Sequence, residues 1–159
     1  MVAFASIEFI PSETPIDTPI SKFGGQPVWL EEPQWPLAAN SGNPMQFIGQ
    51  IVLDPAIFPD TAGKVAYLFM TGDDDDEAET WEPDGGDNAV IIQPGGTVHV
   101  PVAPLRHGPS LFAMEEEDGE EYLIPSPHEY TLKLTQGDDP AFVPGAERGG
   151  WEEDARAAC

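Results

Sequence analysis

Apolar residues in this chain fall into short runs, separated by segments rich in proline, glycine and acidic residues. Short runs with β-branched and aromatic residues, bounded by turn formers, are typical of strands, whereas a helix needs apolar positions three and four residues apart over a longer stretch. No stretch predicts a helix of more than about two turns. The predicted strands cover residues 2–10, 46–53, 64–70, 88–93, 97–100 and 129–134.

The two strongest strand predictions, 46–53 and 64–70, define the centre of the expected sheet. Residues 64–70 are apolar on both faces of a strand, so we expect the two runs to be buried and paired with each other. Residues 54–60 predict at most one helical turn. The expected fold is therefore mainly β, or α+β with minor helix, with a central antiparallel or mixed sheet or sandwich and long Pro/Gly-rich loops.

The first run, residues 2–10, alternates loosely between apolar and polar positions, which predicts that one of its faces is buried. Its predicted core residues are Phe4, Ile7 and Phe9. A chain of 159 residues is expected to form one domain. We assign that domain to residues 1–135 and expect 136–159 to be a weakly ordered or packed tail, since few apolar residues there could anchor it.

The segment before the central strand, residues 21–45, contains a glycine pair, four prolines and two tryptophans. Glycine adopts positive φ without steric cost, and each proline fixes φ and removes a backbone donor, so this segment predicts an ordered loop rather than a helix. Leaving the tryptophans in water would forgo a large burial contribution, so the loop is expected to fold back on the core. The residues are Gly24, Gly25, Pro27, Pro33, Pro36, Pro44, Trp29 and Trp35.

The chain is strongly acidic, with 29 Asp and Glu against 6 Lys and Arg and a net charge of −23. Contacts with phosphates need Lys and Arg, so this balance opposes binding to nucleic acids and anionic membranes. It favours basic partners instead. The alternative is that the acidic surface only provides solubility, together with adaptation to salt.

Targeting signals and cysteines add little to the functional picture. The N-terminus lacks a basic region and carries Glu8, and no run approaches the ~18 apolar residues of a membrane span, which predicts a cytoplasmic protein. Cys159 is the single cysteine, so an internal disulfide and a cysteine zinc site are both excluded.

No set of residues in this sequence clearly indicates catalytic chemistry. The three histidines, His99, His107 and His128, occur in unrelated contexts, and none stands next to a G-x-S-x-G motif or a reactive cysteine. A lone histidine is more often a packing or surface residue than a base. We therefore expect no enzyme, no catalytic residues and no cofactor.

A calcium site is the nearest metal alternative, because Asp73, Asp75, Glu77 and Asp84 offer the carboxylate oxygens that hard cations prefer. The match to a helix-loop-helix calcium loop is poor. Such a loop has glycine at its sixth position, where this chain has Ala78, and it needs flanking helices. We therefore predict no metal site and interpret the segment as an acidic loop.

Two segments, residues 73–87 and 115–121, are predicted to be acidic loops, and because each is close to an aromatic residue they predict a protein-binding surface. Charge accelerates the encounter with a basic partner, and a buried aromatic anchor supplies affinity. The alternative is a pair of solvated loops, with the tryptophan of the first tucked under its own loop. The predicted partner-binding residues are Asp73, Asp74, Asp75, Asp76, Glu77, Glu79, Trp81, Glu82 and Asp84 in the first segment, and Glu115, Glu116, Glu117 and Tyr122 in the second.

Residues 21–55 also carry a resemblance. The patterns FGGxPxWL, WP and GxPMxFIxQIxLDP are similar to the signature of the bacterial YwqG-like family, whose members are mostly uncharacterised. They look more distantly like the N-terminal part of the programmed cell death protein 2 group. The motif residues are Gly24, Gly25, Pro27, Trp29, Trp35 and Gln50, to which we assign a structural role because none is a base, a nucleophile or a metal ligand set.

The resemblance has limits that bear on domain organisation and metals. The eukaryotic relatives carry a cysteine-based zinc site after the tryptophan-proline segment, whereas residues 37–43 of this chain have no cysteine. Family members look longer and have a second GG-x-P half, which is absent here. Either the chain holds one structural half, or its C-terminal tail is a degenerate remnant.

Some YwqG-like proteins look like immunity partners of interbacterial toxins. Together with the acidity, this resemblance predicts a non-enzymatic immunity protein that neutralises a basic secreted toxin, a nuclease above all, by placing carboxylates where the nuclease cleft binds phosphates. The alternative is a housekeeping YwqG-like domain, which binds a small molecule in a pocket near Trp29 and Trp35 or acts as a regulatory module. A calcium-binding module is the third interpretation.

Overall fold

The computed structural model describes residues 2–72 and 78–139, in which every regular element is a β-strand. The fold is mainly β, as the sequence predicts, and none of these residues forms a helix long and apolar enough to cross a membrane. The strands are β1 (Val2–Ser12), β2 (Lys22–Phe23), β3 (Trp35–Pro36), β4 (Gln46–Val52), β5 (Val65–Met70), β6 (Asn88–Gln93), β7 (Val102–Ala103), β8 (Phe112–Glu117), β9 (Glu120–Pro125) and β10 (Glu129–Asp139).

Six of the strands form one antiparallel sheet in the order β1-β10-β2-β4-β5-β6. Strands β4 and β5 lie side by side near its middle, which confirms the pairing predicted for 46–53 and 64–70. Two smaller antiparallel pairs, β3–β7 and β8–β9, lie outside this sheet. The long strand β10 joins the first element of the chain to the rest, because it pairs with β1 on one side and β2 on the other.

The apolar core lies on one face of the six-stranded sheet, which we call the covered face; it carries Gln50, Tyr67 and Gln93. The opposite face, the open face, carries Phe23, Leu68 and Val90. The core cluster comprises Trp29, Trp35, Ala38, Met45, Phe47, Val65, Tyr67, Phe69 and Ile91.

A bulge in β4 determines which of its side chains enter the core. Phe47 pairs with Phe69, but the register shifts before Gly49, so that Gln50 pairs with Tyr67. An extra residue in one strand changes the alternation of faces. Phe47 and Gln50, three residues apart, therefore both lie on the covered face.

The loop before β4, residues 24–45, lies across the covered face. Gln50 accepts a hydrogen bond from the backbone N–H of Val28 (2.9 Å) and donates one to the carbonyl of Ile20 (2.9 Å). The hydroxyl of Tyr67 accepts from the N–H of Leu30 (3.1 Å) and donates to the carbonyl of Val28 (2.7 Å). Buried side chains of β4 and β5 therefore satisfy backbone groups of a loop that has few partners of its own.

Gln93 does the same from β6. Its side-chain oxygen accepts from the N–H groups of Leu30 (3.1 Å) and Glu31 (3.0 Å), and its amide donates to the carbonyl of Glu32 (2.8 Å). Gln93 is fully buried, so each of these bonds replaces one that water would otherwise supply. Three adjacent strands thus hold one loop by its backbone.

Both tryptophans of the loop are buried, as the sequence predicts. The Trp29 ring stacks on Phe69 with centroids 6.1 Å apart, and the Trp35 ring meets Phe69 edge to face at 5.2 Å. Their indole N–H groups donate to backbone carbonyls, Trp29 to Arg106 (3.2 Å) and Trp35 to Met45 (2.7 Å). The rings therefore bury apolar area without leaving a polar atom unpaired.

The glycine pair at the start of the loop turns the chain close to β10. Gly24 and Gly25 both have positive φ, 78° and 65°, a conformation that other residues adopt at a cost. A Cβ atom on Gly24 would also lie 2.7 Å from the carbonyl oxygen of His128. Pro27, two residues on, is buried.

A buried ion pair ties β2 to β10. The Lys22 ammonium lies 3.3 Å from the Glu129 carboxylate and donates to the Ile16 carbonyl (3.2 Å). Glu129 in turn accepts from the backbone N–H of Ile16 (2.8 Å). Burial lowers the pKa of Lys22, and the attraction of Glu129 opposes that shift only in part.

The prediction that Phe4, Ile7 and Phe9 are core residues is wrong, since their exposed fractions are 46%, 44% and 51%. Strand β1 is an edge strand that pairs only with β10. Beyond Tyr130 and Thr131, β10 has no further pairing with β2. The two strands therefore extend past the rest of the sheet as a two-stranded ribbon.

Three other local predictions have different outcomes. Residues 97–100 form no strand, because the chain leaves β6 over the covered face, where Val98 packs against the core. Residues 54–60 form the expected single turn, in which the Asp54 carbonyl accepts from Phe58 N–H (2.8 Å). Strand β10 continues past residue 135, the predicted domain boundary, to Asp139; residues 140–159 lie outside the described part of the chain.

Replacing Tyr67 with Phe tests the contribution of the loop hydrogen bonds. The change removes both bonds of the hydroxyl and leaves the Val28 carbonyl without its donor, so the free energy of unfolding is expected to fall by about 1–3 kcal/mol in urea titrations. Tyr130→Phe is the matched control, because the Tyr130 hydroxyl makes no hydrogen bond within the described residues. Equal losses in the two variants would contradict this role of Tyr67.

The comparison of wild type with Tyr67→Phe should also depend on pH. Burial raises the pKa of Tyr67 from its usual value of 10.0 to about 12. The unfolded chain loses this proton near pH 10 and the folded protein does not, so the stability that the hydroxyl contributes is present below pH 10 and is lost as the pH rises towards 12. The difference in unfolding free energy between wild type and Tyr67→Phe should therefore shrink over that range. A constant difference would contradict the prediction.

Candidate partner-binding surface

The first acidic segment connects β5 to β6, and its described part, residues 78–87, is called the Trp81 segment. Asp87 anchors it: one carboxylate oxygen accepts from the backbone N–H of Glu79 (2.8 Å), and the other lies 3.5 Å from the Thr71 hydroxyl. Asp87 is fully buried. This carboxylate is structural, and nothing in its local sequence separates it from its exposed neighbours.

The rest of the Trp81 segment is held by short-range bonds. The Asn88 amide donates to the carbonyls of Thr80 (2.8 Å) and Glu82 (3.4 Å), and Gly85 N–H donates to the same Glu82 carbonyl (3.1 Å). At the tip, the Trp81 side chain is 96% exposed, so it is not tucked under its own loop. The predicted contact residues Glu79, Glu82 and Asp84 are exposed as well.

The second acidic segment was expected to be a loop, and that expectation is wrong. Residues 112–125 form a β-hairpin, β8 and β9, which we call the acidic hairpin. Its two-residue turn is Asp118-Gly119, both with positive φ (55° and 81°), as a tight hairpin turn requires. The sequence signal for this hairpin was the Asp-Gly pair between residues 112–117 and 120–125. The surrounding glutamates instead favoured the prediction of a loop.

Like charges face one another across the acidic hairpin. Glu116 pairs with Glu121 and Glu117 with Glu120, and all four side chains are exposed. Directly opposed like charges destabilise a strand pair. The Tyr122 hydroxyl donates a long hydrogen bond (3.4 Å) to one Glu117 carboxylate oxygen, which offsets little of this repulsion.

The two acidic segments leave the sheet at the same end. The Trp81 segment runs into β6 at Asn88, and the acidic hairpin begins just after Ser110, which forms a bridge with Phe47 near the start of β4. Phe47 pairs with Phe69 of β5, which pairs with Ala89 of β6, so three strand spacings, about 14 Å, separate the two bases. No hydrogen bond among the described residues joins the segments directly.

Five of the predicted contact residues lie outside the described part of the chain. They are Asp73, Asp74, Asp75, Asp76 and Glu77. The calcium hypothesis depends on three of them. Within residues 2–72 and 78–139, no group of three His, Asp or Glu side chains is arranged to hold a metal ion.

Two clefts lie near these elements. A cavity of about 350 Å³ follows the outer edge of β6, between the Trp81 segment, which contributes Asp84, and the 97–100 segment, which contributes His99. A shallower cleft of about 230 Å³ borders Trp29 and is lined by Arg106 and His107. Trp35 is fully buried and does not reach it. His99 and His107 therefore line different clefts.

Comparisons with known proteins assign no identity to this surface. No protein-family model matches the chain, and no curated protein or solved structure matches it either. The similarity to YwqG-like proteins therefore stays a prediction, and any function must be argued from the residues themselves.

Asp87→Ala tests the anchor of the Trp81 segment. The change removes the carboxylate that accepts from Glu79 N–H, so we expect a loss of about 1–3 kcal/mol in the free energy of unfolding. The control is Asp84→Ala, which makes the same change at an exposed carboxylate and should stay within about 0.5 kcal/mol of wild type. Urea denaturation measures both. Equal stability of the two variants would show that Asp87 anchors nothing.

Proposed function

We propose that this protein is a non-enzymatic immunity protein, which captures and neutralises a basic secreted bacterial toxin in the cytoplasm. The observation that carries the proposal is the exposure of Trp81 among carboxylates. A side chain that is 96% exposed gives up a large burial contribution, which contact with a partner would supply. Trp is also the residue type most enriched among the dominant contacts of protein interfaces.

The acidic hairpin supports the same proposal through its energetics. Opposed glutamates weaken the hairpin in the free protein, and a cationic partner would relieve that repulsion on binding. The two segments start at one end of the sheet, about 14 Å apart, which suits one contiguous contact of standard interface size. Residues 73–77 adjoin the Trp81 segment in sequence and add five carboxylates to this part of the chain.

A nuclease is the proposed class of toxin. Its substrate is a polyanion, so its cleft must be basic, and closely spaced carboxylates can occupy positions that phosphates otherwise fill. Such an inhibitor needs no catalytic residue and no cofactor. Membership of the YwqG-like family is also part of this proposal, and it rests on the sequence motif between Gly24 and Gln50.

A second candidate function rests on the cleft beside Trp29. Arg106 and His107 line it in an otherwise acidic protein, which fits a small anionic ligand in a housekeeping or regulatory domain. Two observations weigh against it: Trp29 is buried, and its indole N–H is already bonded to the Arg106 carbonyl. Thermal shift measurements with small anions, beginning with inorganic phosphate, separate the candidates, since stabilisation by phosphate would favour the second.

Co-expression tests the immunity function. The gene adjacent to this one is expressed in a heterologous bacterium, alone and together with this chain. We expect growth arrest with the neighbour alone and survival with both. A neighbour that is harmless alone, or that stays toxic in the presence of this chain, would refute the immunity proposal.

Truncating Trp81 tests the anchor of the interface. With the toxin as the immobilised partner, Trp81→Ala should weaken binding at least about tenfold, mainly through faster dissociation. Phe58→Ala is the matched control, because Phe58 is an exposed aromatic residue that follows β4 at the opposite end of the sheet. Equal effects of the two changes would move the interface away from Trp81.

Neutralising the acidic hairpin tests the electrostatic contribution. The triple change Glu115→Gln, Glu116→Gln and Glu117→Gln should slow association and flatten its salt dependence, while dissociation changes little. The control removes the same three charges elsewhere, as Glu8→Gln, Glu13→Gln and Asp17→Asn. If the control slows association as much as the hairpin variant, net charge alone would explain the effect.

A further inference from the structure

The open face of the sheet is apolar across all six strands. The register aligns one row of side chains directly from edge to edge: Pro11, Tyr130, Phe23, Gly49, Leu68 and Val90. The next row across β4, β5 and β6 is Ile51, Ala66 and Ile92. No position in these rows is charged, in a protein with 29 acidic residues.

The same face continues along the ribbon of β1 and β10. Phe9 pairs with Leu132 and Ile7 with Leu134. The Phe9 ring contacts Phe23 edge to face, with centroids 5.3 Å apart, which joins the ribbon to the rest of the face. The polar positions on this face include Gln46 and Asn88, which flank Met70 at the end from which the acidic segments leave, and Gln136, which pairs with Ala5 along the ribbon.

The turn after β4 reaches one margin of this face, where Ile57 and Phe58 line a cleft with Leu134, and Leu132 and Ala66 are buried. The loop before β4 and the chain after β6 make their contacts on the covered face, and the core cluster has no member on the open one. Val90, Phe9 and Met70 are 54%, 51% and 42% exposed. Six strands span about 24 Å, so the patch measures several hundred Å², as large as the interaction patches of soluble proteins.

We propose that the open face packs against the open face of a second copy of this chain, forming a two-layer β-sandwich dimer. Two such faces would together bury on the order of 1,000 Å², about the lower limit for a specific interface. Antiparallel sheets pack face to face about 10 Å apart with apolar side chains interdigitated. A two-fold axis makes the contact self-complementary.

The chemistry of the face argues against the other occupants. A basic partner would find no carboxylate in the two rows that cross the sheet to offset the desolvation of its cations. Residues 140–159 contribute only three large apolar side chains, Phe142, Val143 and Trp151, against more than ten on the face. A second copy offers an equally large and equally uncharged surface. The acidic segments leave at the end of the sheet, so this dimer is independent of the proposed toxin contact.

Sedimentation equilibrium of the full chain at micromolar concentrations tests the proposal. We expect a species of twice the 17.2 kDa chain mass. Phe9→Asp and Val90→Asp, on the two edge strands of the face, should each weaken the dimer at least about 100-fold, because two-fold symmetry buries every substituted charge twice. The matched control is Ile10→Asp, which makes the same change on the opposite face of β1 and should leave the dimer intact.

Circular dichroism of both edge variants checks that the monomers keep their β-structure. A wild-type monomer at these concentrations would overturn the proposal, and so would Ile10→Asp dissociating the dimer as strongly as Phe9→Asp. Salt gives a second readout: screening the net charge of −23 on each copy should strengthen the dimer, the opposite of its effect on the acidic toxin contact. A dimer that weakens as salt rises would place the acidic segments in the interface and overturn it.

Discussion

The structure depends on buried side chains that satisfy the backbone of a loop with no regular structure of its own. Gln50, Tyr67 and Gln93 come from three adjacent strands and bond to backbone groups of residues 28–32, in the loop before β4. An unpaired backbone group in this position would cost about as much as a lost hydrogen bond. Because the loop is fixed by its backbone, Trp29 and Trp35 are held in the core, and the loop replaces a second sheet.

Both faces of the sheet are therefore largely apolar. The covered face carries the core cluster and a few buried, hydrogen-bonded polar side chains, whereas the open face carries apolar side chains that include the half-exposed Phe9 and Val90. An antiparallel sheet with one solvated face normally places polar residues on that face. An apolar open face is consistent with a face that meets another surface, and it would account for the exposure of Ile7 and Phe9 in the single chain.

The acidic segments combine a fixed base with a charged, exposed tip. Asp87 is buried, and both of its carboxylate oxygens contact the connection between β5 and β6, at Thr71 and Glu79. Among the described residues of these segments, the other carboxylates face solvent, and in the acidic hairpin they face one another. Charge repulsion of this kind is tolerated because the Asp118-Gly119 turn and the backbone pairing of β8 with β9 define the hairpin without help from its side chains.

The sequence by itself determined where the central strands lie and that Trp29 and Trp35 are buried, because short apolar runs and proline-rich segments are local signals. It did not determine which apolar face is covered: alternation in β1 marks an apolar side, and only the position of β1 at the sheet edge leaves Phe9 exposed. Likewise, local charge at Glu115–Glu121 predicted a loop, while strand pairing and one turn made a hairpin. The partners of Gln50 and Gln93, and the separation of Asp87 from its exposed neighbours, are long-range consequences of tertiary structure that no local pattern encodes.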